Sequence, residues 1–220
     1  MKTIAVVVVN WNAGDYLDKC LSSLDRQTFP PSRVIVVDNA SADGLAKTQA
    51  RFPKTEFILL KENTGFASAN NLAIKRASDC EWVALLNPDA FADPDWLKHL
   101  AEATDRNPDY SFFGSRMTGY PETELLDGTG DVYHVSGLAW RRHHGRRPDE
   151  SANKPGEVFA PCAAAALYRR DIFLQAGGFD ESYFCYFEDV DLAFRLRLQG
   201  HRCLYVPNAV VAHAGSASLG

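Results

Sequence analysis

The sequence predicts an α/β fold, with a Rossmann-like, mainly parallel central sheet and helices on both faces. Apolar runs of strand length alternate with amphipathic stretches through the first part of the 220 residues, and that alternation is what strands joined by crossover helices produce. The runs are rich in Val, Ile and Leu, so both sheet faces are expected to be covered. Most of them also end in polar residues, where an open α/β sheet carries its ligand crevice.

Residues 4–9 form the first strand. The stretch after it sets Leu17, Leu21 and Leu24 on one helical face, and Phe29-Pro30-Pro31 ends it because proline has no amide hydrogen to give a helix interior. Residues 34–37, 57–60 and 82–86 read as the next buried strands, with helices near 41–51 and 66–77 between them. Asp93 caps and Pro94 opens a further helix bearing Leu97, Leu100 and Ala101. From Gly114 to Gly156 the chain is Gly-rich and weakly periodic, and this is expected to be its mobile part. Alternation resumes over 158–168, then a helix repeats Leu192, Leu196 and Gln199 up to Gly200. Two last apolar runs, 202–206 and 209–213, end on a lone histidine.

With 46% hydrophobic and 23% charged residues, the chain is expected to be one domain with a continuous core. Its formal net charge of -5 argues against a general nucleic-acid binder, leaving any anionic partner to a local basic patch. Arg141, Arg142, His143, His144, Arg146 and Arg147 form such a patch. It reads either as a solvated loop face or as a mobile lid whose guanidinium groups pair with substrate phosphates. The five cysteines are odd in number and make no C-x-x-C pair, which points to a reducing compartment rather than to a disulfide framework or zinc site. The longest apolar run is far shorter than the roughly 20 residues a membrane-spanning helix needs, and no leader pattern precedes it.

The segment 177–200, GGFDESYFCYFEDVDLAFRLRLQG, delivers Glu188, Asp189 and Asp191 into the first turn of the last helix. Acidic residues there are ordinary helix chemistry, since free N–H groups and the helix dipole favour negative charge by about 0.3–1 kcal/mol each. They also suit a general base, with Asp191 as a cap that orients the turn. The strand ends carry Asn10-Trp11-Asn12, Asp38-Asn39-Ala40-Ser41, Asn63-Thr64-Gly65 and Asn87-Pro88-Asp89, which suggests one shared site. Each group has a plainer reading. Asp38 and Asn39 can form a turn and cap the next helix. Asn63 and Gly65 can be a bare turn, Asn70 and Asn71 solvent-facing helix residues, and His213 a hydrogen-bonded structural residue.

Taken in order, VVVNWN (7–12), VVDNASADG (36–44), NTGFASANN (63–71), LLNPDA (85–90), the 177–200 segment and His213 resemble the inverting family-2 glycosyltransferases of GT-A fold. Within that family they are most similar to the rhamnosyltransferase-like branch, and the resemblance covers nearly the whole chain. It implies one GT-A domain, with residues 1–112 binding a nucleotide sugar and 113–220 carrying the acceptor and catalytic parts. Donor contacts are implied for Val9, Asn10, Trp11, Asp38, Asn39, Asn63, Gly65, Asn70 and Asn87, with Asp38 meeting the nucleobase. Asp89 and His213 are implied ligands of Mg2+ or Mn2+ on the donor diphosphate. Asp189 is implied as the base, with Glu188 beside it; acceptor or phosphate contacts are assigned to Glu188, Arg141, Arg142, Arg146 and Arg147. The implied donor is a nucleotide-diphosphate sugar, dTDP-rhamnose favoured, and the implied acceptor a glycan or polyprenyl-diphosphate-linked hydroxyl. Such a protein works in cell-wall or polysaccharide biosynthesis, in the cytoplasm and peripherally at the inner membrane face.

The chemistry of these residues agrees. Breaking a sugar–diphosphate bond requires the leaving group to be neutralised, which a carboxylate-held divalent ion does. An acceptor hydroxyl attacks as its proton is removed, and a carboxylate on the opposite face of the anomeric carbon gives inversion. Glu188 is an open alternative to Asp189 for that role. Residue 87 is Asn where the family usually has a second metal-motif Asp, so metal affinity is expected to rest more on Asp89 and His213. Relatives usually continue beyond the point that corresponds to Gly220, so a C-terminal continuation is expected. Two other classes compete. A catalytically silent nucleotide-binding domain of the same fold is disfavoured by Asp89, Asp189 and His213, and a dinucleotide-dependent oxidoreductase by the lack of a G-x-G-x-x-G after the first strand.

Overall fold

The run IAVVVVN becomes strand β1 (Ile4–Asn10), buried at every position. In the computed structural model, which describes residues 2–215, its alternate side chains enter two different cores, as the two-residue repeat of a strand dictates. Ile4, Val6 and Val8 pack on one face with Leu17, Leu21 and Leu24 of helix α1 (Asp15–Asp25). Ala5, Val7 and Val9 face the other way. Each fully buried Val or Ile contributes about 1.5–3 kcal/mol, so this strand anchors both layers.

Strands β2 (Arg33–Asp38) and β3 (Glu56–Leu59) join β1 in parallel on one side and β4 (Trp82–Leu86) on the other. The connecting helices are α2 (Ala46–Arg51), shorter than the sequence predicts, and α3 (Gly65–Arg76). A short strand β5 (Ala90–Ala92) follows, and then α4 (Trp96–Arg106). Asp93 and Pro94 lie before α4 rather than at its cap, because the Trp96 N–H closes a turn onto the Asp93 carbonyl at 2.9 Å. Trp96, Leu97 and Leu100 share the core of α1, whereas α3 sits across the sheet with Ala67, Ala73 and Ile74 buried.

The stretch 114–156, expected to be irregular, is punctuated by short strands joined by turns and loops. It contains most of β6 (Phe112–Gly119), then β7 (Leu126–Gly128), β8 (Asp131–Tyr133) and β9 (Ala139–Arg141), and ends at β10 (Gly156–Val158). Its low periodicity reflects strands of only three residues, too short to show alternation. The expected strand over 158–168 is interrupted at Pro161, which cannot donate to a ladder, and resumes as β11 (Ala165–Arg169). Helices α5 (Arg170–Gln175) and α6 (Glu188–Leu198) pack on the α3 side. The two last apolar runs are one strand, β12 (Cys203–His213), whose register shifts between Val206 and Val210 around Pro207.

The main sheet runs β10-β12-β6-β11-β4-β1-β2-β3, and β8 and β9 form a separate two-stranded ribbon. Tyr133 of that ribbon stacks on Phe159 with ring centroids 4.7 Å apart and meets Phe194 of α6 at 5.4 Å. The ribbon is thereby fixed beside the acidic end of α6. Among the described residues all five cysteines are free, and no helix is long and apolar enough to cross a membrane.

Candidate active site

Parallel pairing sets Asn10 directly beside Asp38 at the ends of β1 and β2. Asn10 Nδ2 donates to Asp38 Oδ1 at 2.8 Å, Ser41 Oγ donates to the same oxygen at 2.5 Å, and the Ser41 N–H donates to Oδ2 at 3.1 Å. Asp38 therefore closes the turn after β2, and Asn10 Oδ1 is buried with no hydrogen-bond partner among the described residues. Asn39 joins this corner to α3, its Nδ2 donating to the Gly65 carbonyl at 3.1 Å and its Oδ1 accepting the Thr64 N–H at 3.2 Å. Asn63 Oδ1 accepts the Gly65 N–H at 2.9 Å. Trp11 is partly exposed beyond the strand end, while the Val9 side chain belongs to the core and offers a ligand only its backbone.

Asn70 and Asn71 are both buried rather than solvent-facing. Asn70 Nδ2 donates back to the Phe66 carbonyl at 2.9 Å. Asn71 grips the turn that leads into the acidic segment: its Nδ2 donates to the Phe179 carbonyl at 2.8 Å, and its Oδ1 accepts the Phe179 N–H at 2.9 Å. A second tie lies nearby, where the Phe184 carbonyl accepts the Phe66 N–H at 2.7 Å at the start of α3. Gly65 makes that approach possible, with φ +84 and a Cβ position 2.6 Å from the Phe184 oxygen. Phe184, Tyr186 and Phe187 all hold positive φ, at 55, 71 and 68. Bulky side chains rarely adopt that region, and such backbone strain concentrates at functional segments.

At the other end of the site, antiparallel pairing of β5 with β12 sets Ala90 opposite His213 and so brings Asp89 to the histidine. His213 Nε2 is 3.3 Å from Asp89 Oδ1, and His213 Nδ1 is 2.9 Å from Asp127 Oδ2. Burial alone lowers the imidazole's proton affinity, but the bonds to Asp127 and Asp89 outweigh it and lift the pKa to about 9. Asp127 in turn accepts from Arg141 Nη1 at 2.8 Å and lies 3.4 Å from His144 Nδ1. Burial raises the Asp127 pKa, yet the His213 bond and the neighbouring cations bring it below the ordinary value.

Asp89 and His213 fit one divalent ion as a carboxylate–imidazole pair. A metal-binding histidine usually donates its second ring N–H to a carboxylate, and Asp127 occupies that position. Among the described residues no group of three or more His, Cys, Asp and Glu side chains is arranged to hold a metal. Two protein ligands are enough where substrate phosphates and water complete the shell, as is usual for Mg2+.

Between this corner and α6 lies a cavity of about 500 Å³, lined by Asn87, Asp127, Asp131, Arg141, Glu188, Asp189 and His213 among others. Asp189 Oδ2 accepts the Ala163 N–H at 2.9 Å and Oδ1 accepts its neighbour Val190's N–H at 2.8 Å, which fixes the carboxylate. Burial nevertheless raises its pKa, against the pull of those N–H groups and of Arg141. Glu188 is buried with Oε2 lacking a partner among the described residues, and burial, then the Asp189 charge, lift it to about 7. Asp131 is lifted to about 7 by burial and by Asp189. Asp191 does not cap α6: it pairs with Arg195 at 2.6 Å one turn on, and Phe187 occupies the cap position.

Of the four arginines assigned to substrate phosphates, only Arg141 lines the cavity. Arg147 pairs with Glu124 at 2.8 Å on the surface, and Arg142 and Arg146 lie outside the lining, so the four do not converge on one point. Asp127 and Asp131, which the structure brings to the site, were missed by sequence reasoning. Their signal was the acidic pair in LDGTGDVY, two carboxylates set among glycines inside the segment expected to be irregular.

A model described as Glycosyl transferase family 2 matches residues 5–176. The chain belongs to glycosyl transferase family 2. It is 31% identical to an N-acetylglucosaminyl-diphospho-decaprenol L-rhamnosyltransferase of Mycobacterium tuberculosis, over 99% of this chain and 78% of that protein. The O-antigen chain rhamnosyltransferase RfbN of Salmonella typhimurium is 24% identical over 96% of this chain and 49% of its own length. Among solved structures, GalNAc-T7 with UDP, GalNAc and Mn2+ superimposes with a TM-score of 0.80 at 15% identity, covering 97% of this chain and 44% of that one. S. aureus TarS 1-349 in complex with UDP gives a TM-score of 0.64 at 20% identity, over 98% of this chain and 59% of that one. The fold is thus the GT-A fold, and the family 2 assignment makes the chain a glycosyltransferase.

Proposed function

We propose that the chain moves a sugar from a nucleoside-diphosphate sugar, dTDP-rhamnose foremost, to a hydroxyl of a glycan or polyprenyl-diphosphate-linked acceptor, with inversion and with Mg2+ or Mn2+. The observation that carries this reading is one cavity lined at one side by His213, itself 3.3 Å from Asp89, and at another by Asp189. The similarity to a rhamnosyltransferase named for a diphospho-decaprenol substrate supports the choice of donor and acceptor. When bound, the metal neutralises charge on the departing diphosphate.

The chain's own groups supply the rest. The Asn10–Asp38 corner receives the nucleoside, in the donor-binding part over residues 1–112, and Asp38 accepts the nucleobase N–H. Asp189 removes the acceptor hydroxyl proton on the face away from the leaving group. Its raised pKa makes it a better proton acceptor than a surface carboxylate, and its two backbone N–H partners hold it in place. Around the cavity, Trp140, Tyr186 and Phe187 are more than half exposed, and Phe187 also lines a second, smaller groove with Tyr133, Tyr183 and Phe194. That apolar rim suits an amphiphilic acceptor presented at the inner face of a membrane, with the protein associated peripherally.

The test is release of nucleoside diphosphate from dTDP-, UDP- and GDP-sugars with Mg2+ or Mn2+ and a lipid-linked acceptor. Turnover of dTDP-rhamnose that stops on chelation is expected. Release from none of the donors, with nucleotide still bound, leaves a silent binding domain instead.

A further inference from the structure

Arg141 is the one arginine of the basic patch that enters the cavity, and its side chain reaches in two directions. Nη1 donates to Asp127 Oδ2 at 2.8 Å, the same oxygen that meets His213 Nδ1 at 2.9 Å. Nη2 donates to Cys162 Sγ at 3.0 Å, and the next residue, Ala163, gives its N–H to Asp189. In the two-stranded ribbon Arg141 stands directly opposite Asp131, where cross-strand side chains of opposite charge interact. The stem has its own seat. A Cβ on Gly128 would lie 2.5 Å from both Cγ and Cδ of Arg141, so the glycine is what lets the guanidinium cross from β9 to the cavity.

We propose that Arg141 is a positioning residue that ties the Asp89–His213 corner to the wall holding Asp189, and that Gly128 is kept bare to admit it. The inference rests on the reading of Asp89, His213 and Asp189 given above, and it replaces a phosphate lid as the role of this arginine. Through Asp127 the guanidinium fixes the ring orientation and tautomer of His213, the service a carboxylate gives a metal-binding histidine. Through Cys162 it braces the backbone amide that anchors Asp189. A planar, always charged fork can bridge two such partners, whereas a lysine offers one flexible point charge. Because the group touches neither reacting atom, its loss acts on kcat through geometry.

The experiment compares Arg141→Gln, Arg141→Lys and Gly128→Ala with the unaltered chain in two readouts. The first is the proton NMR signal of the His213 Nδ1–H in ligand-free protein, assigned with Asp127→Asn. The second is transfer kinetics, with kcat and the donor KM separated. Arg141→Gln is expected to broaden or abolish the Nδ1–H signal and to lower kcat by about 10–100-fold with little change in donor KM, the range seen when a partner of a metal ligand is removed. Arg141→Lys should recover part of both. Gly128→Ala should act in the same direction with no charge altered, and it carries the test if Arg141→Gln does not fold. An Arg141→Gln or folded Gly128→Ala protein that keeps both the signal and the full kcat overturns the proposal. Loss of the signal in a chain that transfers no sugar upholds the positioning role and refutes the transfer reading, so the two failures are distinguishable.

Discussion

Replacing Asn71 by Ala tests how the acidic segment is held. Asn71 is buried in α3 and makes three hydrogen bonds across the chain: two to the backbone of Phe179 and one to Glu181 Oε1 at 3.0 Å. Alanine leaves the Phe179 N–H and carbonyl without those partners in a buried setting. Each orphaned buried group costs about 1–3 kcal/mol, so the loss is expected to be about 2–6 kcal/mol, a large share of a typical total of about 5–15 kcal/mol. The Glu181 bond adds little, because that residue is exposed. Urea denaturation followed by tryptophan fluorescence reads the change, with a lower midpoint and an unaltered slope, since the same surface is exposed on unfolding. The turn also leads to Phe184, whose carbonyl caps α3, so kcat should fall while nucleotide affinity stays. A stability change below about 1 kcal/mol refutes the reasoning, because it would mean that Phe179 finds other partners at little cost.

Three further outcomes follow from the same geometry. Gly65→Ala forces a side chain into φ +84 against the Phe184 oxygen at 2.6 Å; a loss of at least about 1–2 kcal/mol in denaturation is expected from the left-handed backbone alone, and an equally stable variant contradicts the approach. Asp38→Ala should weaken nucleotide binding by about 1.5–3 kcal/mol in calorimetry, the worth of a hydrogen bond to a charged group, and unchanged affinity removes Asp38 from the donor site. Glu188, lifted to about 7 by burial and by Asp189, binds its proton more tightly folded than unfolded, so its stabilising contribution is present at low pH and is lost as pH rises from the unfolded value toward about 7. The thermal midpoint should therefore fall from about pH 5 to about pH 8, and less so in Glu188→Gln; parallel curves would place the pH dependence elsewhere.

Strands β1, β2 and β4 were legible because they are apolar and mostly buried, so 4–9, 34–37 and 82–86 stand out from composition alone. Helix α6 was legible from its repeat and from Gly200. The segment 112–158 was not, since β7, β8, β9 and β10 are each three residues long and carry no period to read. That is where Asp127, Asp131 and the true surroundings of Arg141 lie. Short strands also explain why four arginines near in sequence read as one cluster. Strand β9 ends at Arg141, so Arg142, Arg146 and Arg147 lie in the turns beyond it, and of the four only Arg141 lines the cavity. Asp89 and His213 were paired by resemblance to a known family, and the β5–β12 pairing is the physical reason they meet. Asn70, assigned to the donor with solvent exposure as its plainer reading, and Asn71, for which solvent exposure was the plain reading, are both buried and bond backbone inside the fold.

The most direct test of the central claim is donor affinity and turnover measured together for Asp189→Asn. Asparagine keeps the shape, and its one carbonyl oxygen can accept from Ala163 or from Val190 though not from both, but it cannot take a proton from an acceptor hydroxyl. Nucleotide-sugar affinity should stay within a few-fold while transfer falls by about 100-fold or more, the usual worth of a general base. Transfer at the unaltered rate by Asp189→Asn, with Glu188→Gln inactive, would contradict the account and move the base to Glu188.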